Sequence, residues 1–210
     1  MKIVVVDYGS GNLRSAAKAL ERVAGQAVQV TADPDTVVRA DYLVLPGQGA
    51  FGDCLAGVKA IDGLLEAITD FTLTQAKPYL GICVGMQLMA TRGLEHGVHQ
   101  GFDWIPGDIA PIQPSDPSLK IPQMGWNTLT QTQTGPAHPV LEGLAGEDVY
   151  FVHSYAFEPA QAEHQLMVTE YAGDVTAVVG RDTMIGTQFH PEKSQSMGLR
   201  LLSQFLGWKP

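Results

Sequence analysis

The strongest constraint on the fold is an alternation of short apolar runs and helical segments over the first 95 residues. The apolar runs are typical of buried strands and lie at Lys2–Val6, Ala27–Thr31, Tyr42–Leu45 and Pro78–Ile82. Helical signals follow them at Leu13–Val23, at Asp33-Pro34 with Asp33 as N-cap, at Phe51–Gln75 and at Val84–Thr91. Such alternation predicts a parallel sheet with helices on both faces.

The second half of the chain has a different pattern. Glycine and proline are frequent from Gly97 to Pro139, and short strand-like runs are no longer separated by helices. These runs lie at Trp104–Ile112, Val149–Phe157, Met167–Tyr171, Thr176–Val179 and Met184–Phe189, before a predicted closing helix at Gly198–Trp208. We therefore expect an α/β fold with a central, mostly parallel sheet flanked by helices and an antiparallel extension of the same sheet. No segment has the composition of a linker, so residues 1–210 are expected to form one domain.

Composition excludes several classes of protein. Apolar residues make up 45% of the chain and charged residues 17%, which excludes disorder as the main state. A net charge of −9 argues against a nucleic-acid partner, because phosphate-backbone binders usually carry a basic excess. No run approaches the ~18 apolar residues of a membrane span, and no signal peptide or disulfide framework is apparent. We expect a cytoplasmic protein without a membrane partner.

The sharpest local motif is Gly81-Ile82-Cys83-Val84-Gly85, between a predicted strand and a predicted helix. It matches the nucleophile elbow of hydrolases, with cysteine in place of serine. Its glycines keep the neighbouring backbone clear of Cβ atoms, and the start of a helix favours a thiolate. The N–H of Val84 would point to where an oxyanion forms. The alternative is a buried structural cysteine beside two packing glycines.

A thiolate nucleophile needs a base and a group that orients the base. Among the six histidines, His190 is the best candidate because it lies just beyond a predicted strand. Residues i and i+2 of an extended segment point the same way, so Glu192 is placed to contact the His190 ring. The alternative is a strand-end histidine beside a solvated glutamate.

Other polar features are less specific. The Gln48-Gly49 loop follows a predicted strand at the edge that also carries the elbow, so it either presents a backbone N–H to a ligand or simply connects two elements. Cys54 lies on a predicted helix and is expected to be structural. Glu95, His96 and His99 lack metal-ligand spacing and are expected to be solvated, so neither a metal nor a cofactor is predicted.

Taken together, these segments resemble a known family. Gly81–Gln87 with His190-Pro191-Glu192 is similar to the motifs of class-I, triad-type glutamine amidotransferases. Three further stretches are similar to the glutaminase subunits of imidazole glycerol phosphate synthases: Asp7–Leu13, Pro122–Asn127 and Gln188–Ser194. The resemblance covers essentially the whole chain and implies the fold of that family.

The resemblance also implies a reaction, the hydrolysis of the side-chain amide of L-glutamine to glutamate and ammonia. Cys83 would form a γ-glutamyl thioester, His190 would activate Cys83 and protonate the leaving ammonia, and Glu192 would orient the imidazole. The other implied residues are Val84, Gln48 and Gly49 for the oxyanion, and Gly49, Gln87, Ser154 and Tyr155 for glutamine.

A partner is implied as well. It is the barrel-shaped cyclase subunit of the synthase, which would receive ammonia in a heterodimer and make imidazole glycerol phosphate and an aminoimidazole carboxamide ribonucleotide in histidine biosynthesis. Asn12, Trp126 and Lys193 match family positions at the subunit interface. Their alternatives are a helix cap, a core side chain and a solvated charge.

Such glutaminases are typically idle until the partner binds its ligand, and the Pro46–Gly49 segment would be the element that changes. Two residues depart from the family pattern. Gln48 stands where valine is usual, which bears on the resting conformation of this segment. Ala156 stands where a second tyrosine is usual, which bears on the pocket rim or the subunit contact.

Three other interpretations compete with this one. An amidotransferase serving anthranilate, pyridoxal phosphate or pyrimidine synthesis fits the Asp7–Leu13 and Met124–Asn127 stretches less well. A non-catalytic α/β interaction subunit would be expected to have lost one of Cys83, His190 and Glu192. A cysteine peptidase would share the elbow, but Gln87 counts weakly against it.

Overall fold

The strands of the chain form two sheets. The computed structural model describes all 210 residues. In chain order the strands are β1 (Ile3–Val6), β2 (Gln29–Thr31), β3 (Tyr42–Gly47), β4 (Tyr79–Cys83), β5 (Ala90–Gly93), β6 (His99–Gln100), β7 (Ile105–Pro111), β8 (Gln123–Gln131), β9 (Asp148–His153), β10 (Tyr155–Pro159), β11 (Gln165–Glu170), β12 (Asp174–Arg181) and β13 (Met184–Thr187). The α-helices are α1 (Leu13–Ala24), α2 (Pro34–Val38), α3 (Phe51–Lys59), α4 (Leu64–Thr69), α5 (Val84–Gln87) and α6 (Gln195–Gly207).

The larger sheet has nine strands in the order β2-β1-β3-β4-β13-β12-β11-β8-β9. Strands β2, β1, β3, β4 and β13 pair in parallel, and the strands from β13 to β9 pair antiparallel. Strand β13 joins the two halves, because it is parallel to β4 and antiparallel to β12. The predicted parallel sheet with an antiparallel extension is confirmed.

A second sheet, β10-β7-β5-β6, was not expected. The prediction that all strands of the second half join one sheet is wrong. The predicted strand Val149–Phe157 is interrupted at Ser154, so that β9 lies in the large sheet and β10 in the small one. The predicted helix Val84–Thr91 ends at Gln87 because the next carbonyls pair elsewhere: those of Leu88, Met89 and Ala90 accept hydrogen bonds from residues 102–105.

Three other boundaries also differ from expectation. The predicted helical region Phe51–Gln75 is interrupted at Gly63, which has a φ of 73°, and it ends in a π-helical turn at Asp70–Thr74. Strand β8 was not predicted, because the glycine and proline content around it indicated irregular structure. Helix α6 begins three residues before the predicted Gly198, at Gln195.

The helices cover the parallel part of the sheet. Asp33 caps α2 as expected, with its carboxylate accepting a hydrogen bond from the Thr36 N–H at 3.1 Å. Strand β1 lies between β2 and β3, so the connection from β1 to β2 and the connection from β2 to β3 run in opposite directions across the sheet. The helices in these two connections, α1 and α2, therefore lie on opposite faces. Helix α1 packs against α6, and α2 packs against α4. A core of 51 buried apolar side chains extends from Ile3 to Trp208. No helix of the chain combines the length and the apolar character that crossing a bilayer requires.

The carboxyl ends of β3 and β4 lie side by side, with Gly47 opposite Cys83. The elbow after β4 packs directly on the β3 backbone, and this approach leaves no room for side chains. A Cβ at Gly47 would lie 2.6 Å from the Gly85 nitrogen, and a Cβ at Gly85 would overlap the Leu45 carbonyl oxygen. Backbone contact thus sets the position of the elbow.

The substitution Gly85→Ala is expected to lower the free energy of unfolding by about 3 kcal/mol, because the added methyl group must displace backbone. Urea denaturation measures this change. Gly207→Ala is the control, since its Cβ would meet nothing within 4 Å. Equal stability of the two variants would contradict the tight contact between β3 and the elbow.

Candidate active site

Cys83 lies at the junction of β4 and α5 in a strained conformation. Its φ of 55° and ψ of −113° place a non-glycine residue in a region that L-amino acids rarely adopt. Such strain costs of order 1–3 kcal/mol and concentrates at functional sites. A Cβ at Gly81 would lie 2.6 Å from the Gly85 carbonyl oxygen, so both flanking glycines are required. The backbone has the form of the predicted elbow.

His190 and Glu192 form a buried pair, as the i, i+2 spacing predicted. Nδ1 of His190 lies 2.8 Å from Oε1 of Glu192, and both side chains are at most 3% exposed. The backbone is fixed on both sides: the His190 N–H donates to the Tyr150 carbonyl at 3.0 Å, and Ser194 Oγ donates to the His190 carbonyl at 2.7 Å. The other ring nitrogen, Nε2, has no hydrogen-bond partner within the chain.

The electrostatic environment of His190 favours the imidazolium. Burial alone lowers its pKa, but the neighbouring Cys83 and Glu192 side chains outweigh burial and raise the pKa from 6.5 to about 9. The Cys83 thiol and the His190 ring line the same cavity. A ring held between a carboxylate and a thiol can take a proton from the sulfur and keep it at neutral pH.

These groups open into one cavity of about 230 Å³. The residues that line it are Gln48, Gly49, Cys83, Val84, Gln87, Glu95, Pro122, Val152, His153, Ser154, Tyr155 and His190. The structure therefore brings together every predicted catalytic, oxyanion and glutamine-binding residue, with Glu192 directly behind His190. This volume is below the roughly 300–1,000 Å³ of pockets for drug-sized ligands, and it favours a small ligand such as a free amino acid.

The Gln48-Gly49 peptide is held in a defined orientation. The Gln48 carbonyl accepts hydrogen bonds from Ser10 Oγ and, at 3.5 Å, from Cys54 Sγ. Because the C=O and N–H of a trans peptide are antiparallel, the Gly49 N–H points away from Ser10. This N–H has no hydrogen-bond partner in the chain. Cys54 is fully buried, as expected of a structural cysteine.

A chain of amide contacts connects the elbow to the opposite wall. Nε2 of Gln87 donates to the Tyr155 carbonyl and to Oε1 of Gln188, both at 3.1 Å. Nε2 of Gln188 in turn donates to Cys83 Sγ at 3.6 Å. Gln188 is fully buried, and no role for it was predicted from the sequence. The only available signal was its position two residues before His190.

Glu95 corrects an expectation. It was expected to be solvated with His96 and His99, but it lines the cavity, and its Oε2 accepts a hydrogen bond from the Phe51 N–H at 2.8 Å. Glu95 follows β5, whose first residues were predicted to be the end of a helix. Because β5 was not predicted, no local sequence pattern placed the Glu95 carboxylate at the site.

The match of a family model now decides the family. The model described as glutamine amidotransferase class-I matches residues 4–207, almost the whole chain. The chain belongs to the class-I glutamine amidotransferase family. The elbow, the buried histidine–glutamate pair and the cavity thus lie in an amidotransferase domain.

Similar sequences narrow the comparison within the amidotransferases. Relatives named imidazole glycerol phosphate synthase subunit HisH are 55% identical in Bradyrhizobium diazoefficiens, 54% in Cereibacter sphaeroides and 51% in Mesorhizobium japonicum, each with all of both chains covered. Among solved structures, one described as a glutamine amidotransferase has a TM-score of 0.73 at 17% identity over 98% of this chain and 97% of its own. A chain in the structure of PurLQS from Thermotoga maritima has a TM-score of 0.66 at 19% identity, with 99% of both chains covered. These structures share the fold of this chain.

Two of the residues predicted at a subunit interface contact the same ring. The Trp126 ring packs edge-on against Tyr150 at 5.9 Å, and Lys193 Nζ lies 5.8 Å from the Tyr150 ring centroid. Trp126 is 46% exposed, so its interpretation as a core side chain is wrong. Asn12 precedes α1, but its side chain makes no capping hydrogen bond, so the cap interpretation is wrong too.

Ala156 lies outside the cavity of this amidotransferase site. It packs with Ile112 and Val175 and lines a larger cavity of about 650 Å³ beside the small sheet. That cavity contains neither Cys83 nor His190. The expected effect of Ala156 on the rim of the active-site pocket is therefore wrong.

Glu192→Gln removes the carboxylate from the His190 ring, and the pKa of His190 is expected to fall from about 9 toward 6.5. An NMR titration of the imidazole measures the pKa directly. The wild-type pKa is raised by folding, so stabilisation from the protonated ring is complete below pH 6.5 and is lost as pH rises through 9.

The free energy of unfolding of the Glu192→Gln variant should therefore fall less between these two pH values than that of the wild type. The exposed Glu158→Gln is the control and should follow the wild type. An unchanged His190 titration in Glu192→Gln would refute the assigned cause.

Proposed function

We propose that the chain is the glutaminase subunit of an imidazole glycerol phosphate synthase and hydrolyses L-glutamine to glutamate and ammonia. The observation that carries the proposal is the common cavity of Cys83 and His190, with Glu192 2.8 Å behind the imidazole. The family match and the relatives named as synthase subunits support it. A cytoplasmic location fits the two free cysteines.

The first half of the reaction acylates Cys83. His190 takes the thiol proton, and the thiolate attacks the carboxamide carbon of glutamine while the carbonyl electrons move to oxygen. The tetrahedral intermediate then collapses, the C–N bond breaks, and His190 returns the proton to the leaving nitrogen as ammonia departs. A γ-glutamyl thioester remains. Because α5 is a single turn, the His190 imidazolium, rather than the helix dipole, is the main charge that stabilises the thiolate.

The second half of the reaction releases glutamate. Water enters the place that ammonia left, and His190 removes its proton as the water oxygen attacks the thioester carbon. Collapse breaks the C–S bond and restores the Cys83 thiolate beside a protonated His190. Glu192 holds the imidazole in the tautomer that presents Nε2 to sulfur and stabilises each imidazolium state.

The N–H groups of Val84 and Gly49 would stabilise the oxyanion in both halves, and both residues line the cavity. Val84 is the first residue of α5, and its N–H has no partner within the helix. The Gly49 N–H is also free, and the Ser10 contact to the Gln48 carbonyl keeps it turned away from Ser10. Removing one oxyanion donor typically slows such reactions by ~10²–10³.

The α-ammonium and α-carboxylate groups of glutamine would contact Glu95, Ser154 and Tyr155, which also line the cavity. Glu95 is the one carboxylate that lines the cavity, so it is the natural partner of the α-ammonium group. The Ser154 N–H makes no hydrogen bond within the chain and can donate to the α-carboxylate together with Tyr155. Oε1 of Gln87 is left for substrate, because the Gln87 amide nitrogen is already bonded to Tyr155 and Gln188.

Ammonia formed here would pass to a cyclase subunit that makes imidazole glycerol phosphate and an aminoimidazole carboxamide ribonucleotide. The docking surface would include Asn12, Trp126 and Lys193. Support comes from the exposed apolar side chains on β8, where Met124 is 63% and Trp126 46% exposed. Large exposed apolar side chains grouped together are typical of interaction sites.

Cys83→Ala is expected to lower glutamate release by at least about 10³-fold, because no other thiol lies in the cavity. Glutamate is measured for the chain alone, with the cyclase subunit, and with cyclase plus its nucleotide ligand. Cys54→Ser is the matched control and should retain most of the activity, because its hydroxyl can still donate to the Gln48 carbonyl. We expect strong activation only in the complete mixture. Absence of release in every mixture would refute the proposed function.

Trp126→Ala is expected to weaken binding of the cyclase subunit by roughly tenfold or more, as loss of an aromatic anchor does. Isothermal titration calorimetry measures the dissociation constant. Leu73→Ala is the control, because Leu73 is 49% exposed but lies in the π-helical turn before β4, away from β8. Similar affinities for both variants would remove Trp126 from the interface.

A further inference from the structure

A second histidine lines the active-site cavity, and the mechanism above leaves it unused. His153 is the last residue of β9, is 7% exposed, and lies on the wall opposite the elbow with Ser154 and Tyr155. Its ring packs against Phe151 at 5.7 Å, which limits its rotation. A buried imidazole held in this way presents a fixed polar atom to a ligand.

One hydrogen bond fixes the tautomer of His153. Nδ1 lies 2.8 Å from the Tyr155 carbonyl oxygen. A carbonyl oxygen can only accept, so Nδ1 must carry the proton and donate it. In the neutral ring, Nε2 is then left with a lone pair.

The ring is neutral at physiological pH. Burial and, to a smaller extent, the positive charge of His190 lower the pKa of His153 to about 4, although the hydrogen bond to the Tyr155 carbonyl opposes this shift in part. The pKa values of the two histidines in this cavity are thus shifted in opposite directions, that of His190 upward and that of His153 downward. Nε2 of His153 is therefore purely a hydrogen-bond acceptor.

This acceptor has no partner. Nε2 of His153 is buried and makes no hydrogen bond within the chain. Buried polar atoms in folded proteins are paired in the large majority of cases, so an orphan at a cavity wall marks where a ligand donates. Glutamine has two donating groups, the α-ammonium and the carboxamide NH₂. Glu95 supplies a carboxylate for the first, and His153 lines the same cavity as Cys83 and His190, which leaves its Nε2 for the second.

We propose that Nε2 of His153 accepts a hydrogen bond from the carboxamide NH₂ of glutamine and makes the site selective for an amide substrate. The inference rests on the proposed glutaminase function and assigns a specificity role within it. Glutamate, the product, carries a carboxylate that has no proton to donate. Its oxygen would face the His153 lone pair, which favours release of the product. A site built to receive an N–H discriminates against an analogue that lacks it.

The same contact orients the reacting group. With one N–H held by His153, the carboxamide plane is fixed relative to Cys83, and the nitrogen lone pair that develops after attack is presented to the His190 proton. An imidazolium at position 153 would turn the acceptor into a donor and repel His190. The depressed basicity of this ring is thus part of its role.

The test compares two substrates on the complex of the full chain with the cyclase subunit and its nucleotide ligand. L-Glutamine carries the carboxamide NH₂, whereas L-glutamate γ-methyl ester reacts through the same thioester but has no N–H at that position. Two variants separate the two ring nitrogens. His153→Asn retains a donor for the Tyr155 carbonyl and lacks the acceptor at the Nε2 position. His153→Gln can place an amide oxygen near that position.

We expect His153→Asn to lower kcat/KM for glutamine by about tenfold or more and to change kcat/KM for the ester by less than about threefold, because only the amide loses a partner. His153→Gln should recover part of the glutamine activity. The inhibition constant of glutamate, relative to the KM for glutamine, should fall in His153→Asn.

Equal losses of activity on both substrates would overturn the proposal and make His153 a structural residue. Preserved glutamine activity in His153→Asn would overturn it as well. A wild-type complex that hydrolyses neither substrate would instead refute the glutaminase function on which the inference rests. The ester thus separates failure of the His153 contact from failure of the whole site.

Discussion

Direct backbone contact between β3 and the elbow is the constraint on which the site depends. The Gly85 Cα lies where any Cβ would overlap the Leu45 carbonyl, and Gly47 approaches the Gly85 nitrogen in the same way. The contact holds the ends of β3 and β4 together, so that Cys83 and the Gln48-Gly49 loop line one cavity. It also accommodates the positive φ of Cys83, since the surrounding backbone leaves no alternative path.

The two histidines of the cavity have different electrostatic environments. The thiol of Cys83 and the carboxylate of Glu192 raise the pKa of His190, whereas burial lowers the pKa of His153. A single cavity therefore contains one imidazole, His190, that is suited to take and return a proton, and another, His153, that offers a lone pair. Neither state follows from residue type, because both arise from the contacts of each ring.

Sequence alone predicted the features that local chemistry determines. The alternation of apolar runs and helical spacing located the parallel strands, and the glycine spacing around Cys83 located the elbow. The i, i+2 relation predicted the contact between His190 and Glu192. Strand β8 was missed because glycine and proline surround it, and the second sheet was missed because the parallel pairing of β5 with β7 and the pairing of β7 with β10 depend on tertiary structure. Glu95, Gln188 and His153 were missed for the same reason: each lies at the site only through tertiary structure.

The single residue between β9 and β10 has a mechanical consequence. Ser154 alone connects a strand of the large sheet to a strand of the small one, and both its neighbours line the cavity. The two sheets therefore meet, within one residue, at the cavity wall that contains His153 and Tyr155. A displacement of β10 relative to β9 would move these two lining residues relative to each other. Motion imposed on the small sheet from outside would reach the reacting groups through one peptide unit.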